Sequence, residues 1–83
     1  RWYDVANLAY RQKKHYQALR FFQKTSDMAP YLSESFYGQE KTYFQLGYIS
    51  KTKLAMRKAA ELAYTPKHKK LYKSKLQMLN DNL

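Results

Sequence analysis

Apolar positions recur every three or four residues along most of the chain, which is the spacing of amphipathic helices. Two such segments open the sequence, joined by a basic turn at residues 11–14. Pro30 lacks a backbone N–H and cannot continue the second helix. The pattern therefore predicts a helix hairpin whose inner faces carry Trp2, Val5, Ala6 and Ala9 on the first helix and Ala18, Phe22 and Thr25 on the second.

Turn and capping residues divide the rest of the chain into three more helices. Gly47 suits a left-handed C-cap. Ser33 and Ser50 are expected as N-caps, as is Thr65, which precedes a proline at the first helical position. The expected helices span residues 1–12, 15–28, 34–46, 51–63 and 66–80.

The hairpin repeats with a period of 34 residues. Trp2 is followed by Phe36 at this distance, and the other matched pairs are Tyr3 with Tyr37, Tyr10 with Phe44, Phe22 with Met56, Lys24 with Lys58, and Ala29 with Ala63. This period and side-chain order resemble the tetratricopeptide repeat (TPR), whose pattern runs W-x2-L-G-x2-Y, A-x3-F and P. The first unit carries Trp2, Ala18, Phe22 and Pro30 at these positions.

The resemblance implies an all-α fold, a right-handed helical-repeat array (α-α superhelix). Residues 1–32 would form the first repeat, residues 33–64 the second, and residues 65–83 a capping helix within a single domain. Leucines at 76, 79 and 83 follow Tyr72 at steps of four, three and four, so one face of the last helix can cover the second repeat.

The resemblance also implies a non-catalytic scaffold that binds a partner's peptide or helix in a concave groove lined by the first helix of each hairpin. An acidic or aromatic partner is expected, because the residues there are aromatic, amide and cationic. Those expected to line the groove are Tyr3, Asn7, Tyr10 and Arg11 on the first helix and Tyr37, Lys41, Phe44 and Gln45 on the third.

One subgroup of the family clamps the C-terminal carboxylate of chaperone tails with lysine, asparagine and arginine side chains. Asn7 matches one of these positions, whereas Tyr3 and Gly38 stand where a lysine and an asparagine would be. Chaperone-tail binding is therefore not the expected function.

Charge supports a second hypothesis. Sixteen Lys and Arg residues against six Asp and Glu residues give a formal net charge of +10, which favours anionic partners in general. The last helix would then contact nucleic acid or anionic membrane through Lys67, Lys69, Lys70, Lys73 and Lys75. A third hypothesis is self-association, with short arrays stacking end to end.

No residue pattern points to catalysis, to a cofactor or to a metal. His15 and His68 lie beside lysines and are expected to be solvated, and Asp4 and Glu40 are interpreted as surface acids. There is no Gly-rich phosphate loop or catalytic carboxylate pair. We therefore predict that the protein is not an enzyme.

Compartment is left open by the composition. The chain has no cysteine, which excludes disulfides but is compatible with both cytoplasm and bacterial periplasm. No apolar run is long enough to cross a membrane, and no signal segment is recognisable. Because residue 1 is arginine, we expect the sequence to be a fragment or a processed chain.

Overall fold

The computed structural model describes all 83 residues, which form five α-helices and no β-strand. The predicted all-helical fold class is confirmed. None of the helices combines the length and apolar character that a membrane-spanning helix needs. The helices are α1 (Trp2–Arg11), α2 (His15–Met28), α3 (Ser33–Leu46), α4 (Ile49–Leu62) and α5 (Pro66–Asn82).

Two of the four capping predictions were wrong. Ser33 and Ser50 both lie inside helices, because α3 begins after Leu32 and α4 after Tyr48, neither of which provides a side-chain cap. Thr65 does cap α5, its hydroxyl accepting a hydrogen bond from the His68 N–H at 3.1 Å, with Pro66 at the first helical position. The cap predictions therefore held where a proline marked the helix start.

The two hairpin turns have the same backbone conformation. Gly47 has a φ of 80° and is the predicted left-handed C-cap. Lys13, which lies 34 residues earlier, has a φ of 62° although it is not glycine. A lysine in this conformation costs roughly 1–2 kcal/mol, so packing of α1 against α2 has to hold the first turn in place.

Backbone hydrogen bonds outside the helix interiors recur with the same 34-residue spacing. The bond from Lys14 N to Ala9 O (2.9 Å) is matched by that from Tyr48 N to Tyr43 O (3.0 Å). Helices α2 and α4 also begin and end 34 residues apart. Two more pairs are Ala18 N to Lys14 O with Thr52 N to Tyr48 O, and Ala29 N to Thr25 O with Ala63 N to Ala59 O.

Each helix packs against its neighbours in the chain, and α1 also contacts α3. Two apolar clusters result. One joins Ala6 and Ala9 to Ala18 and Phe22 between α1 and α2. The other lies between α4 and α5 and contains Met56, Ala59, Ala63 and Tyr72.

Small residues decide which faces are buried in the first hairpin. The predicted apolar face of α1 was wrong at Val5, which is exposed, whereas Ala6 and Ala9 are buried. A Cβ on Gly38 would lie within 2.6 Å of Phe22 Cδ1 and closer still to two other atoms of that ring. Only a residue without a side chain lets α3 approach the Phe22 ring this closely.

The contact between α2 and α3 is polar at its centre. Ser35 Oγ donates to the Phe22 carbonyl at 2.8 Å and to Ser26 Oγ at 3.2 Å. Gln39 Nε2 donates to the same Ser26 hydroxyl at 2.6 Å. All three side chains are buried. The two hairpins are therefore joined by a hydrogen-bonded network rather than by an apolar seam.

Candidate functional site

Side chains from three helices meet at one cleft of about 260 Å³, called here the α1–α3–α5 cleft. Its walls combine an aromatic and an aliphatic side with three charged side chains. Phe44 is 47 % exposed and Met78 63 % exposed, so their apolar surfaces are accessible to a partner. The lining residues are Tyr10 from α1, Glu40, Lys41, Phe44 and Gln45 from α3, and Lys75, Met78 and Leu79 from α5.

The cleft residues follow the 34-residue period into α5. Tyr10, Phe44 and Met78 are spaced by 34, as are Lys41 and Lys75. Gln45 and Leu79 share the same spacing. Equivalent positions of α1, α3 and α5 therefore face one cleft, and α5 contributes to it in the same way as the first helices of the two hairpins.

Lysines lie over tyrosine rings along one side of the cleft. Lys41 Nζ is 5.2 Å from the ring centroid of Tyr10 and 5.0 Å from that of Tyr37. Lys75 Nζ is 5.4 Å from the Tyr37 centroid. Tyr37 in turn stacks on Tyr72 at 5.0 Å. Cation–π attraction holds both ammonium groups at the cleft wall, although burial lowers the pKa of Lys41.

Glu40 is the exception to the otherwise simple chemistry of the cleft. The side chain is only 7 % exposed, and its Oε1 is buried without a hydrogen-bond partner. Burial raises the pKa of Glu40, and the charges of Lys75 and Lys41 oppose that change only in part. Neither lysine comes close enough to form an ion pair, since the one ion pair joins the N-terminus to Asp4. The interpretation of Glu40 as a surface acid was therefore wrong.

The cleft contains four of the eight residues that were predicted to line a groove. These are Tyr10, Lys41, Phe44 and Gln45, and Tyr37 lies next to them beneath the two lysines.

The other three predicted groove residues lie outside the cleft. Tyr3 packs edge-on against Phe22, and the Asn7 amide donates to the Tyr3 carbonyl at 3.1 Å. Arg11 lines a separate cavity of about 240 Å³ near the first turn.

Helix α5 divides its lysines between two environments. Lys67, Lys69, Lys70 and Lys73 are exposed and make no ion pair. Lys75 is half-buried in the cleft beside Tyr37. The set of five predicted as one polyanion surface is therefore split, with four lysines on the exposed face and one in the cleft.

Three cleft residues were absent from the sequence prediction, namely Glu40, Met78 and Leu79. For Met78 and Leu79 a signal existed, because extending the 34-residue spacing past Phe44 and Gln45 reaches both of them. No such signal existed for Glu40, since a charged residue on an amphipathic helix is normally assigned to solvent.

The two histidines are not freely solvated, which corrects the sequence interpretation. The His15 ring packs edge-on against Tyr10 at 5.7 Å. The His68 ring stacks on Tyr72 at 5.3 Å, and its Nδ1 is buried without a partner. No group of three or more His, Cys, Asp or Glu side chains is arranged to hold a metal ion.

Comparison of the chain with protein-family models, with curated proteins and with solved structures finds no match.

Proposed function

We propose that this protein is a non-catalytic interaction module that binds a peptide or helix of a partner protein in the α1–α3–α5 cleft. The observation that carries the proposal is the convergence of three helices on one surface with accessible apolar side chains, Phe44 and Met78. Apolar and aromatic side chains in a pocket with a polar rim are typical of residues that dominate binding energy at protein interfaces.

We further propose that the helices form two TPR-like hairpins, followed by α5, in a right-handed array. The recurrence of hydrogen bonds at 34-residue spacing supports a repeat, as does the left-handed backbone at both Lys13 and Gly47. In such an array α1, α3 and α5 would line the concave surface, in agreement with the residues of the cleft.

The charge of the protein favours a partner segment that is acidic around its anchoring residue. Lys41 and Lys75 lie at the cleft, and four exposed lysines continue along α5. With a net charge of +10, attraction of an acidic segment would increase the association rate at low salt. The apolar contact with Phe44 and Met78 would then determine the dissociation rate.

A second candidate function uses the exposed face of α5 instead of the cleft. Lys67, Lys69, Lys70 and Lys73 are all exposed, and no carboxylate neutralises them. Such a surface could contact phosphates of a nucleic acid or of an anionic membrane without reading sequence. The accessible apolar side chains of the cleft have no role in this candidate, which is why it ranks second.

The test compares three variants in binding to partners captured by the purified protein with and without nuclease. The first replaces Phe44 and Met78 with alanine. Its matched control replaces Tyr64 and Met28, which are exposed to a similar degree (68 % and 70 %) outside the cleft. The third variant replaces Lys69, Lys70 and Lys73 with alanine.

We expect the cleft variant to lose a protein partner at both low and high salt, because apolar burial is insensitive to screening. The control variant should bind like the wild type. If only the lysine variant loses binding, and if the wild-type interaction disappears at high salt or after nuclease treatment, the polyanion function replaces the proposed one.

A further inference from the structure

The cleft presents a buried acceptor among apolar walls. Glu40 is more than nine-tenths buried and lines the cleft, and its Oε1 accepts no hydrogen bond. Phe44, Met78 and Leu79 supply the apolar surface around it. A buried polar group without a partner is costly, so a ligand that donates a hydrogen bond to this carboxylate gains more here than it would at an exposed one.

The neighbouring cations restrict which donor can bind. Lys41 and Lys75 both line the same cleft and influence the Glu40 carboxylate electrostatically. A lysine or arginine side chain would bring a third positive charge against them, which like-charge repulsion disfavours. A neutral donor avoids this repulsion.

The same two lysines favour a π surface in the ligand. Each already lies over a tyrosine ring of the protein, at 5.0 Å and 5.4 Å from the Tyr37 centroid. Only aromatic side chains combine a π face, a large apolar area and a single neutral donor, namely the indole N–H of tryptophan and the phenol O–H of tyrosine.

We infer that the cleft selects a tryptophan or tyrosine anchor of the partner, whose ring packs against Phe44 and Met78 and whose N–H or O–H donates to Glu40. This inference rests on the proposed function and names the chemistry of its ligand. Phenylalanine would fill the same space but would leave the Glu40 carboxylate unpartnered. Specificity therefore arises from the donor rather than from ring size.

The experiment is selection of random-sequence peptides displayed on phage against the wild-type protein, with the Phe44→Ala, Met78→Ala double variant as the counter-target. Peptides that prefer the wild type are synthesised, and their Kd values are measured by fluorescence anisotropy. Each is compared with an analogue that lacks only the donor. Tyrosine is replaced by phenylalanine, and tryptophan by 3-benzothienylalanine, which has sulfur in place of the indole N–H.

We expect the selected peptides to share a tryptophan or tyrosine, and loss of the donor to weaken binding to the wild type about tenfold or more. On Glu40→Met, which has no acceptor, the same change should alter Kd less than about twofold. Glu61→Met is the matched control, because Glu61 is an exposed glutamate outside the cleft. If Glu40→Met does not fold, Glu40→Gln serves instead, with the donor effect reduced because the acceptor is uncharged.

Two results would overturn the inference and leave the proposed function intact. One is a set of cleft-dependent peptides anchored by leucine, phenylalanine, lysine or arginine. The other is a donor effect of equal size on the wild type and on Glu40→Met. If instead no peptide distinguishes the wild type from the Phe44→Ala, Met78→Ala variant, the proposed function and the inference fail together.

Discussion

Replacing Glu40 with glutamine should make the protein more stable at neutral pH. Glutamine keeps the shape of the side chain and removes the buried charge. An unpartnered buried polar group costs about 1–3 kcal/mol, and Lys75 and Lys41 recover part of this cost for the carboxylate. We therefore expect a net gain of about 1 kcal/mol, which corresponds to a rise in Tm of roughly 4–8 °C for a domain of this size.

The gain should depend on pH in a defined direction. Burial raises the pKa of Glu40 in the folded protein above that of the unfolded chain. The wild type is therefore favoured at a pH below the ordinary glutamate pKa, and it loses stability as the pH rises through the folded-state pKa. The difference between Glu40→Gln and the wild type should accordingly be small in acid and largest at neutral pH.

Thermal unfolding followed by circular dichroism, at several pH values from acid to neutral, measures this difference. Changes in the ionisation of all other groups cancel when variant and wild type are compared at the same pH. Glu61→Gln is the control, since it removes an exposed carboxylate and should change Tm little at any pH. A lower Tm for Glu40→Gln at neutral pH would refute the reasoning, because it would mean that the lysines stabilise the carboxylate by more than its burial costs.

Three further predictions concern the fold, and a fourth concerns alkaline pH. Gly38→Ala should lower the free energy of unfolding by about 1–3 kcal/mol in urea titration, because its Cβ would overlap the Phe22 ring, and Phe22→Leu in the same chain should restore part of the loss; no loss would mean that the ring moves freely. Gly47→Val should destabilise by on the order of 1 kcal/mol or more, and an unchanged Tm would contradict the left-handed cap. Truncation after Pro66 removes the buried Tyr72, which should cause unfolding or aggregation in size-exclusion chromatography; a folded monomer would show that α5 is dispensable. Burial first, then the charge of Glu34, raises the pKa of Tyr72 to about 12, so the wild type should lose up to about 1.4 kcal/mol per pH unit above pH 10, while Tyr72→Phe should lose less.

Local signals predicted the helices well because each depends on a few neighbouring residues. The ends of α2 at His15 and Met28 agree with the expected ones. Gly47 and the Thr65–Pro66 start have backbone requirements that few other residues meet. Such features need no knowledge of distant contacts.

The buried face of α3 could not be predicted, because it is mostly polar. Serine and threonine hydroxyls on these helices bond to carbonyls of the preceding turn, as Thr42 does to Gly38 at 2.7 Å and Thr52 to Tyr48 at 2.8 Å. A side chain satisfied within its own helix can be buried at little cost. A prediction that follows apolar residues alone therefore assigns these positions to solvent.

The candidate site was predicted in part for a similar reason. Tyr10, Lys41, Phe44 and Gln45 follow from helix periodicity together with the 34-residue repeat. The burial of Glu40 depends on where α5 passes over α3, which no local pattern encodes.

The polar joint between α2 and α3 has a consequence for how the molecule opens. Separating the two hairpins breaks the bonds among Ser26, Ser35 and Gln39, whereas no side-chain hydrogen bond joins α4 to α5, which meet through apolar surfaces around Met56 and Tyr72. Apolar surfaces tolerate sliding and separation without a geometric penalty at each step, whereas a hydrogen-bonded network has one correct register. Local unfolding can thus begin at α5 while the hairpins stay joined, and amide hydrogen exchange would proceed from the C-terminal end inward.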